Sequence, residues 1–133
     1  MPDINPYENY LEQSVSTQTP GELIVLLYDR ALFHINMALR SIEQKKAGEA
    51  HTAIRKAEDI VIYLRGILDV RYKVSGTLYE CYSVILKQLI AANIRKDKEA
   101  LEDAAKAMRT LRDTWKQVEA QAHTAGAEGR IKS

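Results

Sequence analysis

The placement of proline restricts this chain more than any other feature. All three prolines lie before residue 21, and from Gly21 to Ser133 there is none. Glycine is also scarce, with six residues. A long stretch without backbone breakers, carrying apolar residues every three or four positions, can satisfy its peptide groups as helix and bury one stripe per helix. The reading is therefore all-α: an antiparallel up-down four-helix bundle with a short N-terminal helix packed on it.

Local signals divide the chain. Asn5-Pro6-Tyr7-Glu8 is a helix start, because Asn accepts from the free first-turn N–H groups, Pro needs none, and Glu reaches back to the cap. It predicts a short helix over 6–15, followed by a polar loop at 16–18. Thr19-Pro20-Gly21-Glu22 repeats the grammar and opens a long helix to about Gln44. Its core stripe is Ile24, Leu27, Tyr28, Ala31, Ile35, Ala38 and Ile42. Gly48 is the expected left-handed stop. A second long helix runs from about Glu49 to Val70, with Ala50, Ile54, Ala57, Val61, Leu64 and Leu68 inward. Ser75-Gly76-Thr77 reads as a break, with Thr77 and Glu80 as a capping box. The third helix covers about Leu78 to Arg95 and buries Leu78, Tyr82, Ile85, Leu89 and Ala92. Asp97 caps the fourth, which ends near Ala122 after Leu101, Ala104, Ala105, Met108, Leu111 and Trp115. The expected units are an N-terminal segment 1–18, a bundle 19–123 and a mobile tail 124–133. Short connections make neighbouring helices antiparallel.

Composition removes several functions. Lys and Arg number 19 against 18 Asp and Glu, a net charge of +1 that gives no general attraction to nucleic acid or anionic lipid. No apolar run approaches the ~18 residues of a membrane span. One cysteine, Cys81, cannot form an internal disulfide and reads as a small buried hydrophobe in a cytoplasmic chain. The residues three before His34, His51 and His123 are Ala31, Gly48 and Ala120, so the Glu-x-x-His pattern of bundle di-metal sites is absent. No expected core position carries Asp or Glu, and there is no phosphate loop or nucleophile elbow. No catalytic residue, metal or cofactor is expected.

What remains is an excess of apolar residues beyond one stripe per helix. Leu26, Phe33 and Met37 form a second stripe on the first long helix; Ile62 and Tyr63 fall off the core face of the second; Tyr79, Leu86, Ile90 and Ile94 extend around the third. Such residues are scattered surface apolars, a self-association face, or a groove for a partner helix. Tyr7, Tyr10 and Leu11 share one face of a helix too short to be stable alone, so it must dock. The expected partner-binding residues are Tyr7, Tyr10, Leu26, Phe33, Ile62, Tyr63, Tyr79, Leu86 and Ile90.

The chain also resembles the FliS family of flagellar secretion chaperones. The resemblance runs from Asn5 to about Val118. It is carried by Asn5-Pro6-Tyr7 with Tyr10, Thr19-Pro20-x-Glu22-Leu23, Leu27-Tyr28-Asp29, Lys56-Ala57 with Ile60 and Leu64, Leu89 with Ala92-Asn93-Ile94-Arg95-Lys96-Asp97, and Trp115-Lys116-Gln117. It departs at Cys81-Tyr82-Ser83-Val84, where the family tends to have Leu-Tyr-Asp-Tyr, and at Asp29-Arg30, where Asp-Gly is common. The resemblance implies a cytoplasmic bundle that binds the C-terminal segment of newly made flagellin in apolar grooves. It also implies that the bundle prevents premature polymerisation and, when loaded, meets an export-gate component. It further implies that Tyr7 and Tyr10 belong to a segment that occupies client space in the unbound state. Weak homodimerisation through the same faces is the alternative use of the surplus apolar residues.

Overall fold

The computed structural model describes residues 19–132, with side chains through residue 121. The short N-terminal helix, and Tyr7, Tyr10 and Leu11 with it, lie outside the described residues. The four helices are α1 (Pro20–Glu43), α2 (Ala47–Gly66), α3 (Val74–Arg95) and α4 (Lys98–Lys132). Each packs against the next and α4 returns to α1, closing an antiparallel ring. Two of the connections, at 44–46 and 96–97, are so short that the chain must reverse at once.

Helix α1 starts where its sequence says it should. Thr19 Oγ1 accepts from Glu22 N–H at 3.2 Å, and Pro20 occupies the first turn. Gly21 is buried against α4: a Cβ there would take the place of the Glu119 carboxylate, so this glycine lets the two helices close together. The stop differs from expectation. Lys45, with φ of 59°, takes the left-handed position, and Gly48 instead lies in the first turn of α2. Lys46 N–H donates to Ser41 O at 2.8 Å and Lys45 N–H to Ile42 O at 3.0 Å, the bond pair of a Schellman stop. A left-handed Gly48 would have left α1 with a longer, looser exit; closure of the α1/α2 hairpin favours the earlier reversal.

Helix α2 ends at Gly66, short of the expected Val70. Asp69 explains the early end. Its Oδ1 accepts from Arg71 N–H at 3.0 Å and its carboxylate pairs with the Arg71 guanidinium, a local arrangement that competes with helical bonding. These bonds hold the Asp69 carboxyl below its usual range. Helix α3 begins at Val74, so Ser75, Gly76 and Thr77 form its first turn and Thr77 is not its cap. The weak helix propensity of these residues, ~1 kcal/mol at most per position, does not prevent that. Asp97 does cap α4, accepting from Glu99 N–H at 3.0 Å and Ala100 N–H at 3.3 Å. The helix then continues past Ala122 to Lys132.

The core contains the expected stripes. Ile24, Ile42, Leu68, Leu111 and Trp115 are its partly buried margin. At its centre the hydroxyls of Tyr28 and Tyr82 meet at 2.5 Å, joining α1 to α3 across the bundle. Burial, reinforced for Tyr28 by this bond, raises the pKa of both phenols, so the pair stays neutral. Burial of Glu58, with 3% of its surface exposed, was not expected from its acidic character. Arg55 one turn earlier pairs with it at 3.3 Å.

Candidate partner-binding surface

Three inter-helix contacts fix the neighbouring faces. Arg65 donates to Ser83 Oγ at 3.2 Å and lies 5.3 Å from the Tyr79 ring centroid, while His51 and Asn93 are hydrogen-bonded at the far end of the same seam. These contacts hold α2 and α3 antiparallel along one seam. Ile62, Tyr79 and Ile90 are exposed there. Leu86 is not: at 9% exposure it belongs to the core, and its expected place among the surface anchors is corrected. It faces inward because α3 packs on both α2 and α4, which widens its buried stripe. Tyr63 is exposed on the outer side of α2, away from the core stripe.

The expected stripe on α1 has two different settings. Phe33, 48% exposed, and Met37 border a hollow between α1 and α2, where the Phe33 ring meets the His34 ring edge-on at 5.4 Å. His34 is buried beneath them; burial first, then the charges of Lys56 and Arg30, lowers its pKa. Leu26 is only half-exposed and lies in a separate hollow between α1 and α4, beside Asp29, Lys116 and Glu119. Arg112 crosses this seam to Asp29 at 3.1 Å. The anchors thus occupy several faces rather than one pocket.

One apolar groove is lined by none of these residues. It lies between α3 and α4, has a volume of about 590 Å³, and has Val84, Ile85, Ala107 and Leu111 as its apolar lining. Thr77, Glu80, Cys81 and Gln88 complete its α3 wall, with Asp103, Lys106 and Thr110 on α4. Cys81 is therefore partly exposed on a groove wall, not buried in the core. The sequence does carry a signal for this wall: Thr77, Cys81, Val84 and Gln88 recur at helical spacing. Their mixed polarity hides it from a search for apolar stripes.

The arrangement suits binding by packing. Among the described residues no group of His, Cys, Asp and Glu is placed to hold a metal ion, and no helix is long and apolar enough to cross a membrane. The large apolar side chains left exposed on α1, α2 and α3 are available to a partner.

Comparisons with known proteins agree with this geometry. The family described as flagellar protein FliS matches residues 3–122. The flagellar secretion chaperone FliS of Bacillus subtilis (strain 168) is 33% identical over 113 residues, covering 85% of each chain. That of Salmonella typhimurium (strain LT2) is 28% identical over 115 residues, covering 84% of this chain and 85% of its own. A crystal structure described as a flagellar chaperone from bacteria superposes with a TM-score of 0.72 over 90% of this chain and 99% of its own; at 16% identity it supports the fold. With the family model matched over nearly its whole length, this chain belongs to the FliS family, flagellar secretion chaperones and not enzymes.

Proposed function

We propose that this chaperone binds the C-terminal segment of newly made flagellin in the cytoplasm, keeps it from polymerising, and presents it to the export apparatus. The observation that carries this reading is family membership over residues 3–122 joined to exposed apolar side chains on several faces of the bundle. A client that lies along more than one seam would use Ile62, Tyr63, Tyr79 and Ile90 near the α2/α3 seam and Phe33 on α1 as anchors. Each medium aliphatic or aromatic anchor that becomes buried contributes roughly 1.5–3 kcal/mol, so several give useful affinity without a strong charge pair. Tyr7 and Tyr10 complete the proposed set as a cover displaced by the client, and an export-gate component is the proposed partner of the loaded complex.

The test is calorimetry of the full chain with a peptide spanning the C-terminal region of the same organism's flagellin. Saturable binding supports the proposal, and no heat at tens of micromolar overturns it. Sedimentation on the same samples decides the alternative use of these faces, since self-association would appear as a mass that rises with concentration.

A further inference from the structure

The exposed apolar side chains are not spread evenly over the bundle. Of the thirteen large ones among the described residues, seven lie between Ile62 and Tyr79. Four of these, Ile67, Val70, Tyr72 and Val74, belong to the turn that joins α2 to α3 and its edges, outside the client surface proposed above. Val70 is 89% exposed and Tyr72 64%. The turn is nonetheless held in place. Leu68 packs against the core, and Tyr72 N–H donates to Asp69 O and Ser75 N–H to Tyr72 O, each at 3.1 Å. An ordered turn that directs apolar side chains outward gains nothing from them within its own fold.

Charge narrows what meets this turn. Val70, Arg71, Tyr72, Lys73 and Val74 alternate apolar and basic residues. From Ile60 to Tyr79 there are three cations, Arg65, Arg71 and Lys73, and one carboxylate, Asp69. Asp69 is already engaged by the Arg71 backbone and guanidinium. The Arg71 side chain is still 82% exposed, and Lys73 is exposed with its side chain in none of the described bonds. A second copy of the turn would bring like charges together, which disfavours self-pairing. An anionic lipid surface meets the cations and takes up the apolar tips at once. Tyrosine suits the headgroup layer, and Lys and Arg stems reach through it to phosphate. Helix α2 packs on α1 and α3, across the ring from α4, so a planar surface reaches this corner from the side away from the long end of α4.

We propose that the α2/α3 turn is a peripheral docking site for an anionic lipid surface. Val70, Tyr72 and Val74 enter the headgroup layer, and Arg71 and Lys73 meet the phosphates. The contact is weak and reversible, since one short turn inserts only a few side chains. It is a contact with the membrane surface, as no described helix is long and apolar enough to cross. The whole-chain charge of +1 does not oppose it, because salt confines the attraction to charges within about 10 Å of the surface. The site is separate from the seams along the bundle, so it does not depend on the flagellin reading.

The test is co-sedimentation of the full chain with vesicles of phosphatidylglycerol and phosphatidylcholine, and with vesicles of phosphatidylcholine alone. The wild type is expected to pellet with the first and much less with the second, and added salt should release it. Val70→Asp is expected to weaken binding at least about tenfold, the loss of roughly one inserted side chain. Lys73→Glu is expected to weaken it at least about fivefold, the loss of one cation near the surface. Both residues are exposed, so circular dichroism and the melting temperature should not change. Ile94→Asp, also exposed but at the other end of α3, should bind as the wild type does.

No pelleting with the anionic vesicles overturns the proposal. So does equal pelleting of the wild type and both turn variants, or equal binding to the two kinds of vesicle. A mass that rises with concentration in the wild type but not in Val70→Asp would assign the turn to a second copy and overturn it. A loss of flagellin-peptide affinity in Val70→Asp would assign the turn to the client, with the same consequence. So would a loss of melting temperature in Val70→Asp that vanishes beside Tyr7→Ala and Tyr10→Ala, which would assign it to the chain's own N-terminal segment.

Discussion

Lys45 and His34 show how single residues carry conditions that the bundle imposes. A left-handed backbone costs a residue with a Cβ about 1–2 kcal/mol, and glycine avoids it. Lys45 has that backbone, is exposed, and its side chain forms none of the described hydrogen bonds or ion pairs. Lys45→Gly should therefore raise stability by about 1 kcal/mol, seen as a higher urea midpoint with unchanged slope. Lys96 has the same backbone, but its ammonium donates to Asn93 O and Oδ1, so the same change there should gain less. His34 gives a pH dependence whose sign follows from burial. The fold favours the neutral imidazole, whereas the unfolded chain takes up its proton near the ordinary value of 6.5. Its contribution is fully present above that value and is lost as pH falls from there toward the depressed folded pKa. Urea unfolding at about pH 7.5 and about pH 5.5 should show a smaller fall for His34→Gln than for the wild type.

At the scale of the element, α3 separates core from surface most clearly. Tyr79, Leu86 and Ile90 recur at helical spacing and look equivalent in sequence, yet Leu86 is buried while the other two are exposed. Leu86→Ala should cost about 2–5 kcal/mol by opening a cavity. Ile90→Ala should cost less than about 1.5 kcal/mol, since much of its side chain meets water in the free protein. Equal losses in denaturant unfolding would show that Ile90 is core and would remove it from the proposed client surface. The periodic pattern could not draw this distinction. It defines an angle around one helix axis, whereas burial depends on which neighbours lie at that angle. Glu58 fails for the same reason: its charge argues for solvent, but the packed helix buries it beside Arg55.

For the whole molecule, the predicted signature is stabilisation by client. A ligand that binds only the folded state at 100 times its dissociation constant adds about 2.7 kcal/mol. The flagellin peptide should therefore raise the melting temperature in a concentration-dependent way, and an unchanged melt at saturating peptide would contradict folded-state binding. Much of the architecture behind this was legible early. The Thr19 and Asp97 caps, the apolar stripes and the short connections sufficed for four antiparallel helices. The exposed parts of the candidate surface were legible as surplus apolar residues at Phe33, Ile62, Tyr63, Tyr79 and Ile90. The α3/α4 groove was not, because its walls belong to two helices and combine small, polar and apolar residues.

By itself the sequence determined the helical class, the approximate helix boundaries, the buried stripes and the family. These depend on local capping, on the lack of proline after Pro20 and on spacing along one chain, all of which are one-dimensional properties. Only the tertiary structure decided that Lys45 rather than Gly48 makes the first reversal, that Leu86 and Glu58 are buried, and that Cys81 and Gln88 line a groove between α3 and α4. Those outcomes depend on the distance between helices and on which faces meet, and that packing is a property of the folded chain as a whole.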